Sequence, residues 1–254
     1  MLILLNNTIE IMRMKQIKKL IAVTGLICLA FFSVAPTAFA ETDQAISQAE
    51  KMLFMTDHLK NVDEPAVIQY TYKHDGQLEP GFEDLVKVEL KKGSNGKTAK
   101  VHFLTGERKG LELQPVDSAL GNPVLLGFLE RDLVEMKRLT GGATAYFRKR
   151  IRLALVDKAE VKQTTFTFDG KEIKGHEISV RPYVDDPMKQ RMEKYANKNY
   201  LFVLSDQVPG GIYQLRTTIP AAGKIDGAKG NASSMSMIED TMTLSKQIRG
   251  AGKT

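Results

Sequence analysis

The chain has 254 residues, 43% of them hydrophobic, a formal net charge of +6, one cysteine and no tryptophan. Much of the positive excess is N-terminal: without Arg13, Lys15, Lys18, Lys19 and Glu10 the net charge falls to +3, a mixed-sign surface that argues against a nucleic-acid partner. The one cysteine, Cys28, lies in the same N-terminal stretch, so residues 41–254 can form no disulfide, thiolate nucleophile or cysteine-ligated metal site.

Met14–Lys19 is basic, Leu20–Ala35 is an uncharged apolar run of 16 residues, and Pro36 precedes Ala38-Phe39-Ala40. This order predicts a secretory signal peptide cut between Ala40 and Glu41, with Ala38 and Ala40 as the small residues the peptidase needs. The run is shorter than the roughly 20 residues that span a bilayer, so no stable membrane span is expected after cleavage. Ile27, before Cys28, is too large for a lipoprotein signal, and Cys28 reads as an apolar residue of the leader. Met1–Arg13 precede the basic stretch, with Met12 and Met14 as alternative starts. The expected organisation is an upstream extension plus leader over 1–40, one α+β domain over 41–219, and a Gly/Ala/Lys-rich linker with a last strand over 220–254.

After the leader, Ile46, Ala49, Leu53 and Phe54 follow helical spacing and predict an amphipathic helix over Thr42–Leu59 capped by Thr42 or Asp43. From Ala66 the period changes to two. Val67–Tyr72 predicts a strand ending at a His74-Asp75-Gly76 turn, Leu85–Leu90 a second, and Ala99, Val101 and Phe103 the inward face of a third, with a short strand at Leu111–Leu113. The turn clusters at Lys92–Gly96 and Thr105–Gly110 make this an antiparallel meander with one apolar face.

Asn122 and Pro123 then suit the start of a helix whose stripe is Leu125, Phe128, Leu129, Leu133 and Met136, and Gly141-Gly142 stops it. Ala143–Val156 fits either a helix burying Phe147, Ile151, Ala154 and Leu155 or a strand. Its Ala, Leu, Arg and Lys content and a Thr144 cap favour the helix, giving an αα-hairpin. Alternation returns at Val161–Phe168, followed by an Asp169-Gly170 hairpin turn and a strand over Lys171–Val184. Asp186-Pro187 starts a short helix with Met188, Met192 and Tyr195. Strands follow at Asn199–Leu204 and Ile212–Ile219 around a type II turn at Val208-Pro209-Gly210-Gly211, and Thr241–Leu244 suits a last strand after the Gly-rich Pro220–Asn231.

Chemistry is sparse in this pattern. His58, His74, His102 and His176 have no metal-ligand spacing: His58 ends a helix where a cation suits the dipole, and His74 sits in a turn. Asp185-Asp186 suits either a carboxylate pair or a helix cap before Pro187, the cap being the plainer reading. Neither the Gly-Gly pairs nor any Ser fits a phosphate-loop or G-x-S-x-G pattern. Arg148 and Arg152, one helical turn apart beside Tyr146, are candidates for holding an anion or a partner, and Glu130, Asp132 and Glu135 on the preceding helix could pair with them internally. No catalytic residue, metal or cofactor is expected.

Gly121-Asn122-Pro123, Phe128–Asp132, Thr140-Gly141-Gly142, Tyr146–Arg152, Leu204-Ser205-Asp206 and Val208–Gly211 resemble an uncharacterised group of exported, periplasmic bacterial proteins, a likeness that brings no catalytic residues. The order of elements resembles the periplasmic lipoprotein-carrier architecture, which implies an N-terminal helix and a curved antiparallel half-barrel with helices against its concave face. The function then expected is a non-enzymatic periplasmic or secreted binding or carrier protein for a lipid or other apolar ligand. Two alternatives remain: an envelope protein-interaction module, and a hydrolase in which Asp185, Asp186, His176 and Arg148 would converge.

Overall fold

The computed structural model describes residues 46–106, 108, 111–221 and 236–250. The leader, its Ala38-Phe39-Ala40 and Glu41 cleavage site, the Thr42 and Asp43 caps and residues 222–235 lie outside them.

Alternating apolar residues build two antiparallel meanders. The first is β1 (Ala66–Gly76), β2 (Phe82–Gly93), β3 (Gly96–Phe103) and the two-residue β4 (Leu111–Glu112). The second is β5 (Glu160–Phe168), β6 (Lys171–Val180), β7 (Asn199–Leu204), β8 (Ile212–Ile219) and β9 (Ile238–Arg249). β9 pairs with β8 on one side and with β1 on the other, which joins the meanders into one nine-stranded sheet in the order β4-β3-β2-β1-β9-β8-β7-β6-β5. The sheet does not close, so the architecture is an α+β curved half-barrel. The last strand is three times the length expected from Thr241–Leu244, and it lies in the middle of the sheet.

The Asp169-Gly170 turn takes φ of 49° and 72°, the left-handed pair that a two-residue hairpin requires. Gly211 N donates to Val208 O across Pro209-Gly210, and Gly210 has φ of 74° at the third position, as a type II turn demands. β1 runs on to Gly76 because β9 pairs with it that far, so His74 is a strand residue and not part of a turn. β6 ends at Val180, short of Val184, where the chain turns away to bury Tyr183.

Among the described residues, four α-helices accompany the sheet. α1 (Gln48–Glu50) runs into a π-helical turn over Lys51–Met55. It begins at Ser47, whose Oγ accepts from Glu50 N at 3.1 Å while Glu50 Oε2 accepts from Ser47 N at 3.1 Å, a reciprocal cap. This fixes a shorter helix than Thr42–Leu59, and Leu59 N donates to Asp57 Oδ1 in a turn beyond it. Ala49 and Leu53 are buried, but Ile46 and Phe54 are exposed, so only half of the expected stripe packs inward.

α2 (Val124–Thr140) and α3 (Thr144–Asp157) form the predicted hairpin, stopped and turned by Gly141 at φ 71°. Asn122 Oδ1 accepts from Val124 N, and its Nδ2 donates to Tyr70 Oη and Gly210 O, so one buried amide ties α2 to β1 and to the type II turn. Thr144 is the first residue of α3, and Ala143 holds the cap position. α4 (Lys189–Met192), followed by a 3₁₀ turn over Glu193–Asn197, starts two residues past Pro187, and Asp186 Oδ1 accepts from Met188 N at 2.7 Å.

The helices lay their apolar stripes on the concave face. Tyr70, Tyr72, Phe128, Phe147, Tyr183, Tyr200 and Phe202 are all buried there, so the interior of the half-barrel is filled by its own aromatic side chains. No helix among the described residues is long and apolar enough to cross a membrane.

Thr243 stands at the join, opposite Thr71 on β1 and Gln214 on β8. Proline there removes a ladder donor from a strand paired on both sides. We expect Thr243→Pro to lower the unfolding free energy measured in urea by about 3 kcal/mol or more, and Thr243→Val to leave it near the parent value. Equal stability of the proline variant would contradict the central placement of β9.

Candidate functional site

A cleft of about 810 Å³ lies at one end of the half-barrel. This size is suited to a small-molecule ligand. One wall is the stretch from Met52 to Asn61 that follows α1, and the other is the outer part of β5 and β6. Leu204 at the end of β7, Ser205–Gln207 after it, and Gly211 complete the lining. Its exposed atoms are mainly carbon, although most of the residues are polar.

The two walls differ in how far their polar groups are already engaged. On the first, Asn61 donates to Asp206 O and Val208 O and accepts from Gly210 N. Both nitrogens of His58 are used: Nε2 lies 2.8 Å from Met52 O and Nδ1 accepts from Asn122 N at 3.3 Å. Burial pushes the His58 pKa down, against the Met52 carbonyl and Asp57, which pull it up. His58 is therefore a neutral structural bridge, not the helix-end cation expected from its position.

On the second wall, Gln163 stands opposite His176 and Thr165 opposite Lys174. These four share a face with Val161 and the buried Ile178, the concave side. The convex side of the same strands carries Phe166, which stacks on Tyr213 at 3.9 Å between centroids. Gly175 permits that stack, because a Cβ there would meet Phe166 Cε1 at 2.9 Å and Leu204 O at 2.5 Å.

A second polar cluster is buried beneath α2. Asp240 Oδ1 accepts from Tyr72 Oη at 2.5 Å and lies 2.8 Å from His74 Nδ1. Arg131 Nε donates to Tyr72 Oη at 2.9 Å. Next to this, Asp132 is paired with Lys198 Nζ and accepts from Tyr200 Oη at 2.5 Å, and Tyr200 meets Tyr183 Oη at 3.1 Å. Lys198 and Asp132 are 0% and 5% exposed. Removing either would leave the other charge buried alone, so the pair fixes how α2 seats on β7.

Burial works against the Asp240 carboxylate, yet His74, Lys198 and Tyr72 together hold it below the usual range. Burial also pushes the Asp132 carboxyl up against the pull of Lys198. His74 is raised, chiefly by its bond to Asp240. A small void of about 50 Å³ lies among Tyr72, His74, Arg131, Asp132, Thr217 and Asp240. The cluster was not evident from the sequence, but a signal was present. His74 keeps the inward parity of Tyr70 and Tyr72, Asp240 that of Met242 and Leu244, and Asp132 lies four residues from both Phe128 and Met136 in the α2 stripe.

The residues singled out from the sequence fall in separate places. Arg148 is held by Glu130, its Nη2 at 2.8 Å from Oε2, on the exposed side of the hairpin. Arg152 is exposed on α3, and Tyr146 Oη donates to Asp186 Oδ1 at 2.5 Å. Asp186 is buried, with Arg150 Nε 2.6 Å from its Oδ2 but off-axis for a hydrogen bond. Exposed Asp185 meets Lys158 at 2.8 Å. His176 lines the cleft, and no hydrogen bond or ion pair joins it or Arg148 to the two aspartates. Among the described residues, no three His, Cys, Asp or Glu side chains gather as metal ligands.

No family model and no curated protein matches the chain. Solved structures do resemble it. The lipoprotein LppX of Mycobacterium tuberculosis matches at 10% identity and a TM-score of 0.27, over 74% of this chain and 89% of that one. A LolA superfamily protein from Nitrosomonas europaea matches at 9% and 0.23, over 80% and 94%. A putative outer membrane lipoprotein-sorting protein domain from Vibrio parahaemolyticus matches at 10% and 0.24, over 81% and 95%.

The two buried histidines give opposite pH dependences. The fold favours protonated His74, so its contribution is complete below the ordinary value of 6.5 and fades as pH rises through the raised one. The fold favours neutral His58, whose contribution is complete above 6.5 and fades as pH falls through the lowered one. Unfolding measured between about pH 5 and 9 should show an alkaline decline that His74→Asn removes and an acid decline that it leaves. An unchanged alkaline limb in that variant would refute the assignment.

Proposed function

We propose that this is an exported, non-enzymatic binding or carrier protein that takes a lipid or other apolar ligand into the cleft between the Met52–Asn61 stretch and β5–β6. The observation that carries this is the cleft itself: about 810 Å³, open, and walled mainly by carbon, in a molecule whose interior is otherwise filled. The separate engagements of Asp185, Asp186 and Arg148, and the place of His176 in the cleft lining without a bond to any of them, speak against a hydrolytic centre built from the four.

Thr165 is exposed on a strand and faces the cleft, so a tryptophan there occupies ligand space without disturbing the core. The protein should bind phenylnaphthylamine, an uncharged apolar dye, with a fluorescence increase. Thr165→Trp should weaken that binding at least tenfold, about 1.4 kcal/mol, at an unchanged melting temperature. Equal dye affinity in the two proteins would exclude the cleft as the site.

The exported state has its own test. N-terminal sequencing of the protein from its native host should begin at Glu41. A product that retains Leu20–Ala35 would overturn the compartment.

A further inference from the structure

The ligand class can be narrowed, on the premise that the cleft is the binding site. We infer that the cleft recognises an amphiphile with an anionic head, a carboxylate or phosphate, and that Lys174 and His176 on the β6 wall hold the head.

The argument rests on which polar groups are left over. On the Met52–Asn61 wall, Asn61 and His58 have their polar atoms engaged, Thr56 Oγ1 donates to Lys51 O and Asp57 Oδ1 accepts from Leu59 N, which leaves the exposed Lys60 as that wall's one unpaired side-chain donor among the described residues. Ser205 is also occupied: its Oγ donates to Lys174 O and accepts from Gln207 N. The β5–β6 wall is different. Gln163, Thr165, Lys174 and His176 form a two-by-two patch of cross-strand neighbours on the concave face. Each carries a hydrogen-bond donor, and none is a carboxylate. No side-chain hydrogen bond or ion pair is formed by any of the four among the described residues, whereas neighbouring surface cations such as Lys162 and Lys158 are paired with Glu160 and Asp185.

Four unpaired donors side by side, one of them a lysine amine, form a surface to which an oxyanion can bond through several oxygens at once. The carboxylates of the cleft, Asp57 and Asp206, lie off this wall, on the 52–61 stretch and in the turn after β7. An anionic head between Lys174 and His176 therefore meets donors within the cleft, and Glu172, the next residue of that face of β6, lies outside the lining. The apolar tail then runs along the remaining lining, where Met52 and Leu204 supply carbon surface.

The test compares dodecanoate, dodecyl phosphate, dodecanol and inorganic phosphate by calorimetry on the parent, Lys174→Gln and Lys174→Gln/His176→Gln. Both variants change exposed or half-exposed side chains, and an unchanged melting temperature checks that they fold. The parent should bind one or both anionic amphiphiles at least tenfold more tightly than dodecanol, the tighter of the two naming the head group. Lys174→Gln should remove most of that preference and the double variant the rest, with dodecanol affinity unchanged. If all three amphiphiles bind alike and the variants match the parent, the head-group site is refuted while the apolar cleft stands. If inorganic phosphate binds through Lys174 but no amphiphile does, the anion site stands and the carrier reading falls. If nothing binds, both fall.

Discussion

The architecture depends on one antiparallel pairing, β1 with β9. Each meander is built from neighbours in sequence, and only the ladder between Ala66–Gly76 and Ile238–Arg249 makes them one curved surface. Partners about 170 residues apart must meet before the concave face exists, a costly loop closure for a core to depend on. The join is reinforced by chemistry as well as by backbone. His74 and Tyr72 on β1 both address Asp240 on β9, so a carboxylate that would be unfavourable in an apolar core is instead a three-residue clasp across the seam.

Filling of the interior follows from that clasp. Because Tyr72, Asp240, Asp132, Lys198 and Tyr200 must be seated together, α2 lies close against the sheet and leaves only a small void beneath it. Space for a ligand survives at the β5–β7 end, where the 52–61 stretch covers the strands only in part. The half-barrel is thus sealed in the middle by polar contacts and open where those contacts run out. This geometry suits a protein whose cleft must stay accessible while its scaffold stays fixed.

Much of the fold was legible in the sequence, because period-two and period-3.6 patterns are local. Asp169-Gly170 marked its turn, Gly141 the end of α2, and the helical reading of Ala143–Val156 followed from residue types that pack one face. β9 was read too short because Ser245–Arg249 are largely exposed and carry no alternation, although their backbone is still paired with β1. The buried cluster was hidden for a different reason. Asp132 and Lys198 are 66 residues apart, and only the folded chain shows that a charge in an apolar stripe has found its counterpart. The cleft was the least legible feature. Lys174 and His176 look like ordinary solvent-facing strand positions, and their isolation appears only once every neighbouring ion pair has been placed.

An open sheet also has two rims, and each is a template onto which another copy could add strands. Here the β4 rim is two residues long, too brief to hold a register. The β5 rim is longer, but it carries Lys162 and Glu160 as an exposed charged pair and is flanked by α1. Both are devices that discourage edge-to-edge growth. The half-barrel therefore keeps its cleft open without offering its borders to fibrils, a distinction a closed barrel never has to make.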